Sequence, residues 1–368
     1  MKKIKFLAVA LAAFTMFSCS NDEIESLGNN APGEQAVLTI KLKGDGDDQA
    51  QSRALGPTAT TDVAINDYLV FLFREGGALD CVPYYSSSNA AANISNGTTA
   101  AKKVYVVANT GELANGPFAT VKTEADLLAA TGSLMDNTNN ASTQTKDNLW
   151  VSGVKDVTFV GTSATVAVEL KFVAAKIELV VKDNRKNMSG GAITIEDKEV
   201  VLLYAGKSGH FFGTDDEKVD QSTFYAGDVS YFPPSSIPTN ITLSTALSDA
   251  VGAPFTDNTS GTVFNHFYTF GNNGDIKPTI LAIKSTKTVD SGTPSTIYYP
   301  IHFTMADAGH TIVPGKYYNV VVTLNGDVAA GQGGGTTNPE VPVVTSSVQV
   351  TVTPASWGAK INVDKDFN

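Results

Sequence analysis

This 368-residue chain has little sulfur and little histidine. Cys19, Cys81, His210, His266, His302 and His310 are its whole stock of those two residue types. No pair of histidines has HxH or HExxH spacing and no cysteine lies beside one, so ligand spacing argues against a zinc site. No GxSxG, Walker-type or dinucleotide fingerprint occurs, and no cofactor or metal is expected. A bare S-x-x-K is present as Ser152-Gly153-Val154-Lys155. Its glycine reads as a turn, whereas acyl-transfer chemistry needs that serine to open a helix. The chain is therefore read as a non-enzyme.

Basic clusters are also missing. Lysine and arginine number 26 against 37 acidic residues, a formal net charge of −11, which argues against nucleic acid as a partner. The acidic runs Asp45-Gly46-Asp47-Asp48 and Asp215-Asp216-Glu217 lack the twelve-residue calcium-loop pattern and read as solvated turns. No apolar run approaches the about 20 residues that a membrane helix requires. The stretch from Phe6 to Phe17, interrupted by Thr15, is too short.

What that stretch does have is the anatomy of an export signal. Lys2, Lys3 and Lys5 precede it, and Ser18 leads into Cys19. Residues 1–18 are read as a lipoprotein signal peptide, with Cys19 acylated as the new N-terminus. The preceding Met16-Phe17-Ser18 is looser than the strict Leu-Ser/Ala-Gly/Ala consensus. Each buried CH₂ of an acyl chain contributes about 0.8 kcal/mol, so several chains on one cysteine hold firmly. Losing three lysines with the signal takes the net charge to −14. Cys81 then has no partner for a disulfide, and its apolar setting, Leu79-Asp80-Cys81-Val82-Pro83, reads as a buried structural thiol.

The remainder reads as β structure. A polar tether over 20–35 precedes Ala36–Lys43, where Leu38, Ile40 and Leu42 share one strand face. That strand runs into Gly44-Asp45-Gly46-Asp47-Asp48, and a polar stretch leads to Arg53-Ala54, an accessible loop suited to proteolysis. Further strands are expected at Asp67–Phe73, Lys103–Asn109, Val157–Val160 and Ala164–Val181. In the last, the apolar phase slips by one residue between Phe172 and Val173, which calls for a bulge or a bend between sheets. Thr123 and Asp126 form a capping box for a short helix from Glu124 to about Ala130. Seven more strands are expected at Glu199–Tyr204, Thr223–Phe232, Asn240–Leu243, Val263–Phe270, Thr279–Ile283, Ser295–Phe303 and Lys316–Leu324. His266 and His302 fall in strands, His210 and His310 in loops. Alternation puts one ring of each pair, Tyr298-Tyr299 and Tyr317-Tyr318, in the core. A flexible Gly-rich run at 330–335 leads to a last apolar-faced strand carrying Val348, Val350 and Val352.

The domain plan is thus a signal at 1–18, a propeptide with a removable first strand at 19–53, β-sandwiches at 54–185 and 186–326, and an arm with a terminal strand at 327–368. An apolar-faced strand lies at each end, and the C-terminal one fits either donation to another copy or closure of its own sheet.

Several stretches, in this order, resemble the fimbrillin family of the Bacteroides group, the type V pilins. They are the lipoprotein start with its acidic Ser20-Asn21-Asp22-Glu23, the Arg53-Ala54 junction, Tyr68–Phe73, Val104–Asn109, Val168–Ile177, Gly315–Val320 and a valine strand near Trp357. The resemblance implies an all-β fold of two tandem transthyretin-like β-sandwiches. It implies a precursor held in the outer membrane by lipid on Cys19, and an Arg-specific protease that cuts between Arg53 and Ala54. Leu38, Ile40 and Leu42 would belong to the displaced strand, and Val348, Val350 and Val352 to the donor. The product would be a homopolymeric stalk at the cell surface, meeting anchor and tip subunits. Two other readings fit the same residues: a monomeric lipid-anchored β-sandwich that binds glycans through exposed aromatics, and the anchor or tip of the same fimbria.

Overall fold

A computed structural model describes residues 33–44, 65–86, 91–133, 149–187, 189, 191–213, 223–225, 242–244, 248–250, 262–330, 334–341 and 361–367. The described chain is all-β, with one α-helix of six residues, α1 (Glu124–Ala129). Its principal strands are β1 (Gln35–Gly44), β2 (Tyr68–Arg74), β3 (Ala91–Thr98), β4 (Ala101–Ala108), β5 (Val151–Asp156), β6 (Ser163–Phe172) and β7 (Ala175–Asp183). They continue with β8 (Ile193–Leu203), β9 (Thr262–Thr269), β10 (Ile280–Val289), β11 (Ser295–His302), β12 (Tyr317–Leu324) and β13 (Ile361–Phe367).

The first sheet has eight strands. Its path runs Leu79–Cys81, β2, β4, β5, β6, β1, β3, with Tyr84–Tyr85 set beside β2. Tyr68 to Phe73 are buried on both faces of β2, as befits a run of aromatic and branched residues in a strand covered on both sides. Gly76 and Gly77 turn the chain out of β2 at φ of 85° and 82°, which residues with a Cβ rarely adopt. Cys81 lies buried in the same core.

One long strand joins the sheets. Val166, Val168, Leu170 and Phe172 point inward from β6; after the break at Val173-Ala174, Ala175, Ile177, Leu179 and Val181 do so from β7. The one-residue slip in the apolar pattern is this bend. Beyond it, the second sheet runs β9, β7, β12, β13 and the third runs Ser248–Ala250, β8, β10, β11. A continuous apolar core extends from Leu38 in the first sheet to Leu324 in the second. A smaller one groups Val201, Leu203, Tyr204, Phe224, Ile280, Ala282 and Tyr298.

Two braces tie the parts together. Strand Ser208–His210 pairs with Thr131–Ser133, and Phe211 packs on Trp150 and Phe118 with ring centroids 4.8 and 4.7 Å apart. At the end of β7, Arg185 is buried between Asp183 and Asp197, at 2.6 and 2.7 Å. Burial alone would lower its pKa; the hydrogen bond from Arg185 to Asp183 and the charge of Asp197 outweigh that and raise it. The helix has the predicted capping box, with Thr123 and Asp126 each accepting from the other's backbone N–H.

Several expectations are corrected. Val157–Val160 is not a strand; the strand is β5, one step earlier, and it contains Ser152-Gly153-Val154-Lys155. That glycine is not in a turn: a Cβ on Gly153 would collide with the backbone of Glu169 on β6, so close strand approach requires it. Ser152 is buried and donates to the carbonyl of Phe211, which makes it part of the brace. His210 lies in a short strand rather than a loop. All four rings of Tyr298-Tyr299 and Tyr317-Tyr318 are buried, because the third and second sheets are covered on both faces.

Candidate assembly site

Among the strands of the first sheet, β1 is the unusual one. It enters the first sheet as an interior strand, although it is the first strand among the described residues. It runs parallel to β6, from Val37 opposite Ser163 to Gly44 opposite Leu170. On its other side it runs antiparallel to β3, from Gln35 opposite Thr98 to Lys41 opposite Ala91. Both partners therefore come from later in the sequence.

Alternation does the rest. Leu38, Ile40 and Leu42 are 1%, 0% and 3% exposed, while Val37 is 46% exposed at an irregularity in the ladder. Leu38 lies opposite Ile94, Ile40 lies between Ala92 and Val166, and Leu42 lies beside Val168. Burial of each such side chain contributes about 1.5–3 kcal/mol. On the outer face Thr39 donates to Asn93 Oδ1 at 2.9 Å, and Gln35 Nε2 donates to the Ser95 carbonyl at 3.0 Å. The slot is thus apolar inside, polar outside, and walled by two strands whose backbones both need β1.

The second sheet ends differently. β13 runs parallel to β12, from Ile361 opposite Tyr318 to Phe367 opposite Leu324, and among the described residues β12 is its only strand partner. Ahead of it, Thr336 makes a two-way backbone bridge to Tyr298 and Glu340 accepts from Lys277 and Tyr204.

The family described as FimA-like major fimbrial subunit protein, C-terminal domain, matches residues 174–357. The family described as major fimbrial subunit protein (FimA) matches residues 36–243, more than half of the chain. The chain belongs to the FimA family. It is accordingly a structural protein of a cell-surface fimbria. Among curated FimA proteins, the type-2 major fimbrium subunit of Porphyromonas gingivalis is 25% identical over 97% of this chain and 98% of its own length. The type-3 subunit of that organism is 24% identical over the same shares. A crystal structure of a candidate cell adhesion protein from Bacteroides eggerthii is 65% identical, covers 92% of this chain and 100% of its own, and superposes with a TM-score of 0.79. A second such protein, from Parabacteroides distasonis, shares the fold at a TM-score of 0.55 with 16% identity, over 80% of this chain and 89% of its own.

Of the residues singled out in the FimA-like sequence, Leu38, Ile40 and Leu42 lie together in the slot. Cys19, Arg53, Ala54, Val348, Val350 and Val352 lie outside the described residues. Sequence reasoning missed the wall of the slot formed by β3. Its only pattern is Ala92 and Ile94 two residues apart among Asn93, Ser95, Asn96 and Gly97, which read as turn formers. It also missed β13, in which Ile361, Val363 and Phe367 alternate with Asn362, Asp364 and Asp366.

Proposed function

We propose that this protein is a fimbrial stalk subunit, exported as a lipoprotein acylated on Cys19 and cleaved between Arg53 and Ala54. It then polymerises when the C-terminal strand of another copy, carrying Val348, Val350 and Val352, takes the place of β1. In this reading residues 19–53 are the propeptide, 54–185 and 186–326 the two lobes of the mature subunit, and 327–368 the donated arm. The observation that carries it is β1, the first strand among the described residues, buried in mid-sheet between partners from later in the sequence. Its loss uncovers three apolar side-chain sites and leaves β3 and β6 with unpaired edges, a surface that demands a new strand. A donated strand restores the ladder and the burial, and a head-to-tail contact that does not close grows a filament. While β1 is in place the slot is filled, so cleavage is the switch. Among the described residues the tail is held to its own subunit by β13, whose one strand partner is β12, whereas the slot offers an incoming strand two. The B. eggerthii relative carries an adhesion description, and a fibre of this kind is suited to carrying an adhesive tip away from the membrane.

The test is N-terminal sequencing of the surface form together with an unheated gel. A chain beginning at Ala54 that runs as a ladder is the expected outcome. A surface form still beginning at acylated Cys19, migrating as one monomer band, would overturn the proposal. Truncation after Val341 should leave a folded protein that yields no ladder.

A further inference from the structure

The segment that links the body of the protein to its C-terminal tail is not slack throughout. Gly335 lies against the backbone of Tyr298 in β11, where an added Cβ would stand 3.0 Å from the Tyr298 carbonyl carbon and closer still to its oxygen. Only glycine allows that approach. Thr336 then exchanges two hydrogen bonds with Tyr298, N–H to O at 2.9 Å and the reverse at 2.7 Å. Thr336 Oγ1 accepts from Asn338 N–H at 3.1 Å, Asn338 Oδ1 accepts from Glu340 N–H at 2.9 Å, and Pro339 is buried. The Glu340 carboxylate receives Lys277 Nζ at 2.7 Å and Tyr204 OH at 2.5 Å. Lys277 also lies over the Tyr204 ring, 5.4 Å from its centroid.

Tyr204 is itself held with unusual care. It is a non-glycine residue at φ 52°, a conformation that persists only where surroundings enforce it. Its carbonyl accepts from Asn272 Nδ2 and Thr279 Oγ1, at 3.2 and 2.9 Å, and its ring is packed in the smaller apolar core. A strained, buried tyrosine thus directs its hydroxyl to a carboxylate in the arm.

We propose that Gly335–Glu340 is a clasp that fixes the root of the C-terminal tail to the third sheet, so that only residues after Val341 are free to change partners. The inference rests on the stalk reading for its purpose, and on the clasp geometry for its existence. Residues 342–368, fully extended, reach on the order of 90 Å, enough to cross to a second copy while the root stays in place. A fixed root sets where each tail leaves its parent. It therefore sets the spacing and angle between successive subunits, and it raises the effective concentration of the tail by shortening its tether.

Amide hydrogen exchange on the intact precursor decides the matter. Thr336 should exchange at least 100-fold more slowly than an unstructured peptide amide. Glu340→Lys should lower that protection at least tenfold while leaving amides of β10 unchanged, and Lys277→Glu added to it should restore most of the loss. Gly335→Val is the second variant, expected to open the same segment without touching charge. Thr336 exchanging freely in the wild-type precursor would overturn the clasp, as would protection unmoved by either variant. Where fibres form, Thr336 must stay protected in them, since loss of protection on polymerisation would mean that the clasp opens. Should the wild-type chain make no fibre, the stalk reading fails and exchange in the precursor alone upholds or overturns the clasp.

Discussion

The two halves of the bent strand β6–β7 each carry a parallel neighbour, and the contrast between those neighbours is instructive. β1 lies along β6 and β12 lies along β7, in equally long registers. Both put alternate aliphatic side chains into the same core: Leu38, Ile40 and Leu42 from one, Val320, Val322 and Leu324 from the other. Burial and pairing do not distinguish them. What distinguishes them is connection. β12 is entered from described chain that packs back on the sheet, with Tyr318 OH accepting from Val313 N–H and donating to the Thr311 carbonyl at 2.8 Å each. β1 has no strand before it among the described residues, and the Arg53-Ala54 pair follows it in sequence. In the stalk reading proposed above, similar burial combined with unequal connection is what would let β1 be exchanged while β12 stays.

That contrast can be broken most forcefully with a buried charge. Val320→Asp should destabilise precursor and cleaved forms alike, by several kcal/mol, since the carboxylate has no partner in the core. Ile40→Asp should cost the precursor a similar amount and leave the assembled, cleaved form untouched; urea melts of both forms make the comparison. If Ile40→Asp weakened the assembled form equally, β1 would still be resident there. Next in size is Arg185→Ala, which strands Asp183 and Asp197 together in the interior. A loss of about 3–5 kcal/mol is expected before and after cleavage, because that cluster belongs to the β7 side. Leu38→Ala should cost about 2–5 kcal/mol in the precursor alone.

The smallest effect tests the other side of the first sheet, where α1 meets β4. Glu124 accepts from Lys103 Nζ at 2.8 Å and from Tyr105 OH at 2.6 Å. Burial pushes its pKa up, but those two bonds outweigh burial and leave it below the usual carboxylate range. A depressed folded pKa means stability that is present above the unfolded value and lost as pH falls through the folded one. Glu124→Gln should therefore flatten the acid limb of a stability profile measured below about pH 4.5, by less than about 1 kcal/mol. It should do so equally in both forms.

Much of this fold was written in alternation and punctuation. The Phe172-Val173 phase slip located the bend between sheets, the Thr123–Asp126 box located the helix, and Gly76-Gly77 closed β2. Leu38, Ile40 and Leu42 were legible as one face of a strand. Long-range partners were not. Nothing local in Ala91–Thr98 announces a strand, because its stability comes from β1 beside it rather than from its own side chains. The same holds for Ser152-Gly153-Val154-Lys155, whose glycine signals close approach of β6 and only looks like a turn when β6 is unknown. The clasp at Gly335–Glu340 was hidden inside a glycine-rich run, since its partners Tyr204, Lys277 and Tyr298 lie far away in sequence. Tyrosine pairs were read as half-exposed because alternation on one strand cannot tell whether the outer face will be covered.

The unbroken passage of the chain from β6 into β7 also has a mechanical meaning. A segment seated beside β6 and dragged along its own axis must shear many ladder bonds at once instead of peeling them singly. The load then runs through a two-residue bend into β7 and the second sheet, with no intervening loop to stretch. A fibre made of such units would resist flow at its joints.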